Sequence, residues 1–162
     1  MIRPAAEGDE AGILAIWNPV IRDTLATFNP VEKTAGDIAR MIAERAAAGH
    51  GFLVAGGAGG IAGFATYGQF RGGAGYARTM EHTVMLAPSA RGRGIGRALM
   101  AALEDHARAG GAKSMFAGVS AANPEGRAFH ARLGYGEVAV LPAVGFKAGR
   151  WLDLVLMQKF LA

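Results

Sequence analysis

The chain has 162 residues, 51% of them apolar and 19% charged, which is enough to bury a core and excludes a disordered polymer. It has no cysteine, which removes disulfides, zinc thiolate centres and a thiol nucleophile together, and no apolar run approaches the ~18 residues that span a bilayer. The net charge of +4 would suit nucleic acid, but no long Lys/Arg run and no interleaving of basic and aromatic residues supports that partner. "MIRPAAEGDE" turns acidic at once, unlike a secretory signal. The expectation is one cytoplasmic domain over residues 1–162, with no nucleic-acid and no membrane partner.

In chain order, "MIRPA" reads as a short strand. "DEAGILAIWNPVIRDT" places Ile13, Leu14, Ile16, Trp17, Val20 and Ile21 at helical spacing behind Asp9 as N-cap, with Pro19 bending or interrupting the helix. "TAGDIARMIAERAAAG" is a second helix, capped by Thr34 and closed by Gly49. "GFLVAGGAGGIAGFATYGQF" is a hairpin around glycines, and "YARTMEHTVMLAP" is a longer strand. "IGRALMAALEDHARAG" is a helix with Ile95, Leu99, Leu103 and His106 along one side. A strand "AKSMFAGVS", a short helix "PEGRAFHARLG" with Pro124 first and Gly134 last, and two strands, "EVAVLPAVG" and "WLDLVLMQKF", complete the chain. The order predicts an α/β fold: a mixed, mostly antiparallel central sheet flanked by helices.

Between the long strand and the third helix stands "RGRGIGRA", Arg91 to Ala98. A Rossmann G-x-G-x-x-G fails because Arg97 holds its last position, and no Gly-Lys-Ser/Thr exists for a Walker loop. What fits is Arg91-x-x-Gly94-x-Gly96 opening a helix directly after a strand. In such a turn, backbone N–H groups converge, the helix N-terminus adds partial positive charge, and glycines admit a diphosphate closely. The alternative is a surface turn with solvated arginines. No metal constellation is present, since the four histidines lack ligand spacing.

"RGRGIGRAL" after "HTVMLAP", followed about 30 residues later by "NPEGRAFHARLGY", resembles the coenzyme A loop and the later motif of the GNAT acetyltransferase superfamily. "NPVIRDTLATF", "QFRGGAGYARTMEHTVML" and "GRWLDLVLMQ" extend the resemblance to its phosphinothricin and methionine sulfoximine acetyltransferase branch. That resemblance implies acetyl-CoA as cosubstrate, a small amino acid or amino-acid analogue as acceptor, no metal, and a homodimer with acceptor pockets near the subunit interface. The alternatives are an acetyltransferase for a protein N-terminus, lysine or polyamine, and a non-catalytic acyl-CoA-binding regulator. Three positions depart from the branch: Ala148 stands for an aromatic residue, Ala77 for an arginine after the tyrosine, and Gly126 for a Ser or Ala.

The resemblance assigns the coenzyme to Arg91, Gly92, Arg93, Gly94, Ile95, Gly96 and Arg97, to backbone groups of Val84, Met85 and Leu86, and to Asn123. It makes Glu81 the base for the amine, the alternative being a carboxylate paired with Arg78 or Arg71. Strand alternation sends His82 to the opposite face, as a structural or interfacial residue and a weak backup base. His130 falls where many members carry a tyrosine proton donor, and is read as that donor or as a coenzyme contact. Arg71, Tyr76 and Phe28 are acceptor-side candidates, Arg71 because a planar guanidinium suits a carboxylate or phosphinate.

Overall fold

A computed structural model describes all residues, 1–162. Seven strands form one sheet: β1 (Ile2–Pro4), β2 (Phe52–Gly57), β3 (Gly60–Gln69), β4 (Thr79–Leu86), β5 (Ser114–Ser120), β6 (Gly136–Lys147) and β7 (Arg150–Phe160). Their spatial order is β1-β2-β3-β4-β5-β7-β6. Every pairing is antiparallel except β4 with β5. The parallel pair needs a crossover, which the helix α3 (Ile95–Ala109) supplies.

The helices cover both faces, so the mixed, mostly antiparallel sheet expected from the sequence is present. On one face, α1 (Glu10–Asp23) and α2 (Ala35–Ala47) bury Ile13, Ile16, Trp17, Ile21 and Ile38 against Phe52, Val54 and Phe64. On the other, α3 and α4 (Pro124–Arg132) cover the larger core, where Leu99, Met100 and Leu103 meet Leu53, Ala65, Met80, Met115 and Val155. Period-two alternation in β4 feeds both cores: Met80, Val84 and Leu86 pack with α3, whereas Met85 packs with α1.

Local signals act as expected in most places. Thr34 and Asp37 close a reciprocal capping box on α2, with Thr34 N–H donating to Asp37 at 2.8 Å and Asp37 N–H to Thr34 at 3.2 Å. Gly49 and Gly134 follow their helices at φ +72° and +95°. Asp9 precedes α1 but does not cap it. Its carboxylate takes two hydrogen bonds from Arg3, at 2.7 and 2.8 Å, and one from Ala6 N–H. Pro19 sits inside an unbroken α1. The long strand begins at Thr79 rather than Tyr76, because Ala74–Tyr76 coil into one 3-10 turn. Pro142 lies in a bulge: Leu141 pairs with Leu154 and Gly145 with Leu152, leaving three residues opposite Asp153. An edge strand tolerates that proline because the ladder bond it cannot donate is not needed there.

Candidate active site

The sheet opens at one point. β4 and β5 pair from Thr79–Ser114 to His82–Ala117 and then part, although β4 runs on to Leu86 and β5 to Ser120. The register shows which backbone groups the parting frees. Thr79 C=O and Ala87 N–H both bond toward β3, so the odd-numbered residues face β3 and the even-numbered ones face β5. Val84 and Leu86 therefore turn their N–H and C=O groups into the gap, while Met85 turns its own to β3.

A cleft of about 960 Å³ follows this gap. Its walls include His82, Val84, Met85, Leu86, Gly118, Ser120, Asn123, Phe129 and His130, with the loop Thr24–Phe28 at one end and Arg91, Gly92, Gly94, Gly96 and Arg97 at the other. Gly92 and Gly94 adopt φ +73° and +80°, and a Cβ on either would meet nothing within 4 Å. That is the bare concavity a diphosphate requires. Gly96 has a different reason for being glycine: a Cβ there would stand 3.1 Å from Phe129 and 3.2 Å from Leu86, so it lets α3 start close against β4 and α4.

The positive end is uncompensated. Arg91, Arg97 and Arg132 line the cleft and none makes an ion pair, against the single carboxylate of Glu125. Arg132 escaped the sequence reading, since one arginine in the last turn of a short helix carries no signal of its own. Two expected loop residues lie elsewhere. Arg93, between the two positive-φ glycines, lines a separate groove beside Met1 and the β2–β3 turn. Ile95 lines that groove too and packs on the α3-side core.

Asn123 caps α4 by accepting a 3.0 Å hydrogen bond from Gly126 N–H. Gly126 is needed for this, because a Cβ would come within 2.5 Å of the Asn123 amide. A serine or alanine there would displace the cap. His130 Nδ1–H donates to Gly126 C=O at 2.7 Å, which leaves Nε2 as a buried lone pair without a partner. Burial lowers the His130 pKa, opposed in part by that hydrogen bond and by Glu104, so the ring is neutral. His82 stacks on it at 5.0 Å with an interplanar angle of 23°. Neither ring nitrogen of His82 has a partner, and burial together with His130 pushes its pKa down to about 3. Tyr135 presents its edge to both rings and donates to Glu104 at 3.0 Å.

Glu81 points to the other face, as alternation requires. Its carboxylate lies over Gly118, where a Cβ would stand 2.9 Å from Oε2. It makes no ion pair with Arg71 or Arg78, and burial raises its pKa. Gly118 was not singled out from the sequence, although a lone glycine inside a strand such as "AKSMFAGVS" is the usual mark of a close approach. Arg71 and Tyr76 are exposed on the turn after β3 and pair with each other, guanidinium over ring at 5.7 Å. They do not line the cleft within one chain, and beside them Phe70 stacks on Phe116 at 4.5 Å. Phe28 does line it.

A sheet parted beside a cationic, glycine-bared helix start defines a protein that binds an extended, phosphate-bearing ligand through its sheet, with a desolvated carboxylate nearby. The chain belongs to the GNAT acetyltransferase family, whose profile matches residues 17–135. It is 39% identical to the L-methionine sulfoximine/L-methionine sulfone acetyltransferase of Pseudomonas aeruginosa over 158 residues, 97% of this chain and 92% of that one. It is 33% identical to the phosphinothricin N-acetyltransferase of Alcaligenes faecalis, over 98% of this chain and 81% of the relative. Its fold matches that of the Salmonella typhimurium acetyltransferase yncA, solved with its cofactor acetyl-CoA, with a TM-score of 0.95 and 35% identity across 100% of this chain and 94% of that one. The residues present fit that cosubstrate: Gly92 and Gly94 leave the space, Arg91, Arg97 and Arg132 leave charge unpaired, and Val84 and Leu86 leave backbone groups free.

Proposed function

We propose that the protein is a single-domain cytoplasmic N-acetyltransferase that uses acetyl-CoA to acetylate the free amine of a small amino acid or amino-acid analogue, of the phosphinothricin, methionine sulfoximine or methionine sulfone type. The observation that carries the reading is the parting of β4 from β5 after His82–Ala117, with the arginine-lined turn at one end of the cleft and, where the strands begin to part, the unpaired Glu81 carboxylate against Gly118, which lines the cleft although Glu81 itself does not. The identities to enzymes named for such acceptors support the acceptor class. The coenzyme supplies the activated acetyl thioester.

Arg91, Arg97, Arg132 and the bare backbone at Gly92 and Gly94 hold the diphosphate, with Asn123 along the arm. The N–H groups of Val84 and Leu86 take the carbonyl end, where one well-aimed donor is worth about 3 kcal/mol as negative charge develops. Glu81 accepts the proton of the ammonium, directly or through water. A carboxylate near pKa 4.3 is a weak base for that task, and burial shifts it in the useful direction. His130 is assigned contact with the coenzyme rather than proton donation, because its one N–H is spent on Gly126 and burial opposes a second proton. A thiol of pKa near 8.5 leaves readily without an acid.

We assign Arg71 and Tyr76 to the acceptor of a neighbouring subunit in a homodimer. Two facts support this: neither reaches its own cleft, and Val138, Val140, Val144, Phe146 and Trp151 on β6 and β7 are each more than half exposed. The functional test is thiol release from acetyl-CoA. Release that depends on an added amino-acid analogue supports the reading. Release confined to polyamines or peptides, or none with any amine, overturns it in favour of another acceptor or a binding role.

A further inference from the structure

The acceptor end of the cleft is walled by Thr24–Phe28, an irregular segment between α1 and α2 that no strand pairs with. Two residues of β6, Lys147 and Gly145, hold it from far along the chain. Lys147 donates from Nζ to Thr27 C=O at 2.8 Å and to Thr27 Oγ1 at 3.3 Å. Lys147 is only 6% exposed and has no carboxylate partner. A buried, unpaired ammonium is costly, so its retention at this contact calls for a reason. Two residues earlier, on the same face of the strand, Gly145 supports the next residue of the loop: a Cβ there would stand 2.5 Å from Phe28 Cγ and 2.7 Å from Cε2. The Phe28 ring thus lies between the Gly145 backbone and the cleft.

We propose that Lys147 and Gly145 are positioning residues that set acceptor specificity, Lys147 by latching Thr27 and Gly145 by fixing how far Phe28 stands into the cleft. The device suits an acceptor whose side chain is measured against the Phe28 ring, a compact amino acid rather than a long polyamine. The inference rests on the proposed function, since it takes this end of the cleft to hold the amine.

Lys147→Met keeps the buried stem and removes the donor. Amide exchange across Leu25–Phe28 should quicken by about tenfold or more, as expected when a loop loses its tether. KM for L-methionine sulfoximine should rise by a similar factor, while the acetyl-CoA Kd, a check that the variant folds, stays within about twofold. Gly145→Ala drives Phe28 toward the cleft, so KM should rise about fivefold more for L-methionine sulfoximine than for the shorter L-2-aminobutyrate. Unchanged exchange in Lys147→Met together with an unchanged acceptor ratio in Gly145→Ala overturns the proposal. So does a parallel loss of acetyl-CoA affinity and acceptor KM. If the wild-type protein acetylates no amino acid, the parent reading fails, and the exchange measurement alone decides whether the latch exists.

Discussion

Glu81 and Gly118 act as one unit, because the glycine on β5 leaves the space the carboxylate occupies. Glu81→Gln keeps the shape and removes the base. With a proton relay worth about 10²–10⁴-fold, kcat should fall in that range at neutral pH and recover as pH rises and more amine is already neutral. The sign for the wild type follows from the raised pKa: Glu81 must be ionised to act, so its acid limb lies above that of an ordinary glutamate, and activity is lost as pH falls through it. A wild-type kcat in the variant at pH 7 would return Glu81 to a structural role. At the arginine-lined end of the cleft, Gly94→Val puts a branched side chain at φ +80° in the space left for the diphosphate. Calorimetry should show acetyl-CoA binding weakened by about tenfold or more in a folded variant, and unchanged affinity would remove the loop from the site.

At the scale of elements, the stacked imidazoles of β4 and α4 place two neutral rings against the α3-side core. The His82 pKa of about 3 lies far below the 6.5 of an unfolded chain, so the unfolded state binds more protons between those values. Its stability contribution is therefore complete above pH 6.5 and lost as pH falls toward 3, at about 1.4 kcal/mol per pH unit for one ring. His82→Phe should flatten that loss in urea unfolding between pH 7 and 5, and an unchanged slope would mean that the ring already titrates in the fold. The β6–β7 hairpin carries a second local cost. Ala148 and Gly149 turn it with φ +52° and +73°, a two-residue turn in which alanine is poorly suited. Ala148→Asn should stabilise the protein by about 0.5–1 kcal/mol, read as a higher Tm.

These elements also show what the sequence made legible. The diphosphate turn could be read because its chemistry is consecutive: arginines, glycines and a helix start within eight residues. The caps of α2 and α4 could be read for the same reason. Asp9 could not, because an N-cap pattern looks identical whether its carboxylate bonds its own helix or a distant Arg3. The direction of Arg93 was hidden because φ on either side decides it. Arg132, Gly118 and the Thr24–Phe28 wall come together only across the parted strands, through contacts between residues far apart in the chain.

For the molecule as a whole, the sheet leaves β6 as an edge strand with Val138, Val140, Val144 and Phe146 exposed beside Trp151 of β7, and the proposed homodimer covers them. Trp151→Asp should shift the species seen by light scattering toward the monomer and raise the acceptor KM, because Arg71 and Tyr76 would lose the cleft they are assigned to serve. A monomeric wild-type protein with full activity would break that assignment.

The most direct measurement of the central claim is kcat/KM from thiol release for L-methionine sulfoximine, beside spermidine and an N-terminal peptide, each confirmed by detection of the N-acetylated product. The account predicts a preference for the amino-acid analogue of about a hundredfold or more, since each 1.4 kcal/mol of added acceptor contact is worth tenfold. An equal or greater value for the polyamine or the peptide would contradict it.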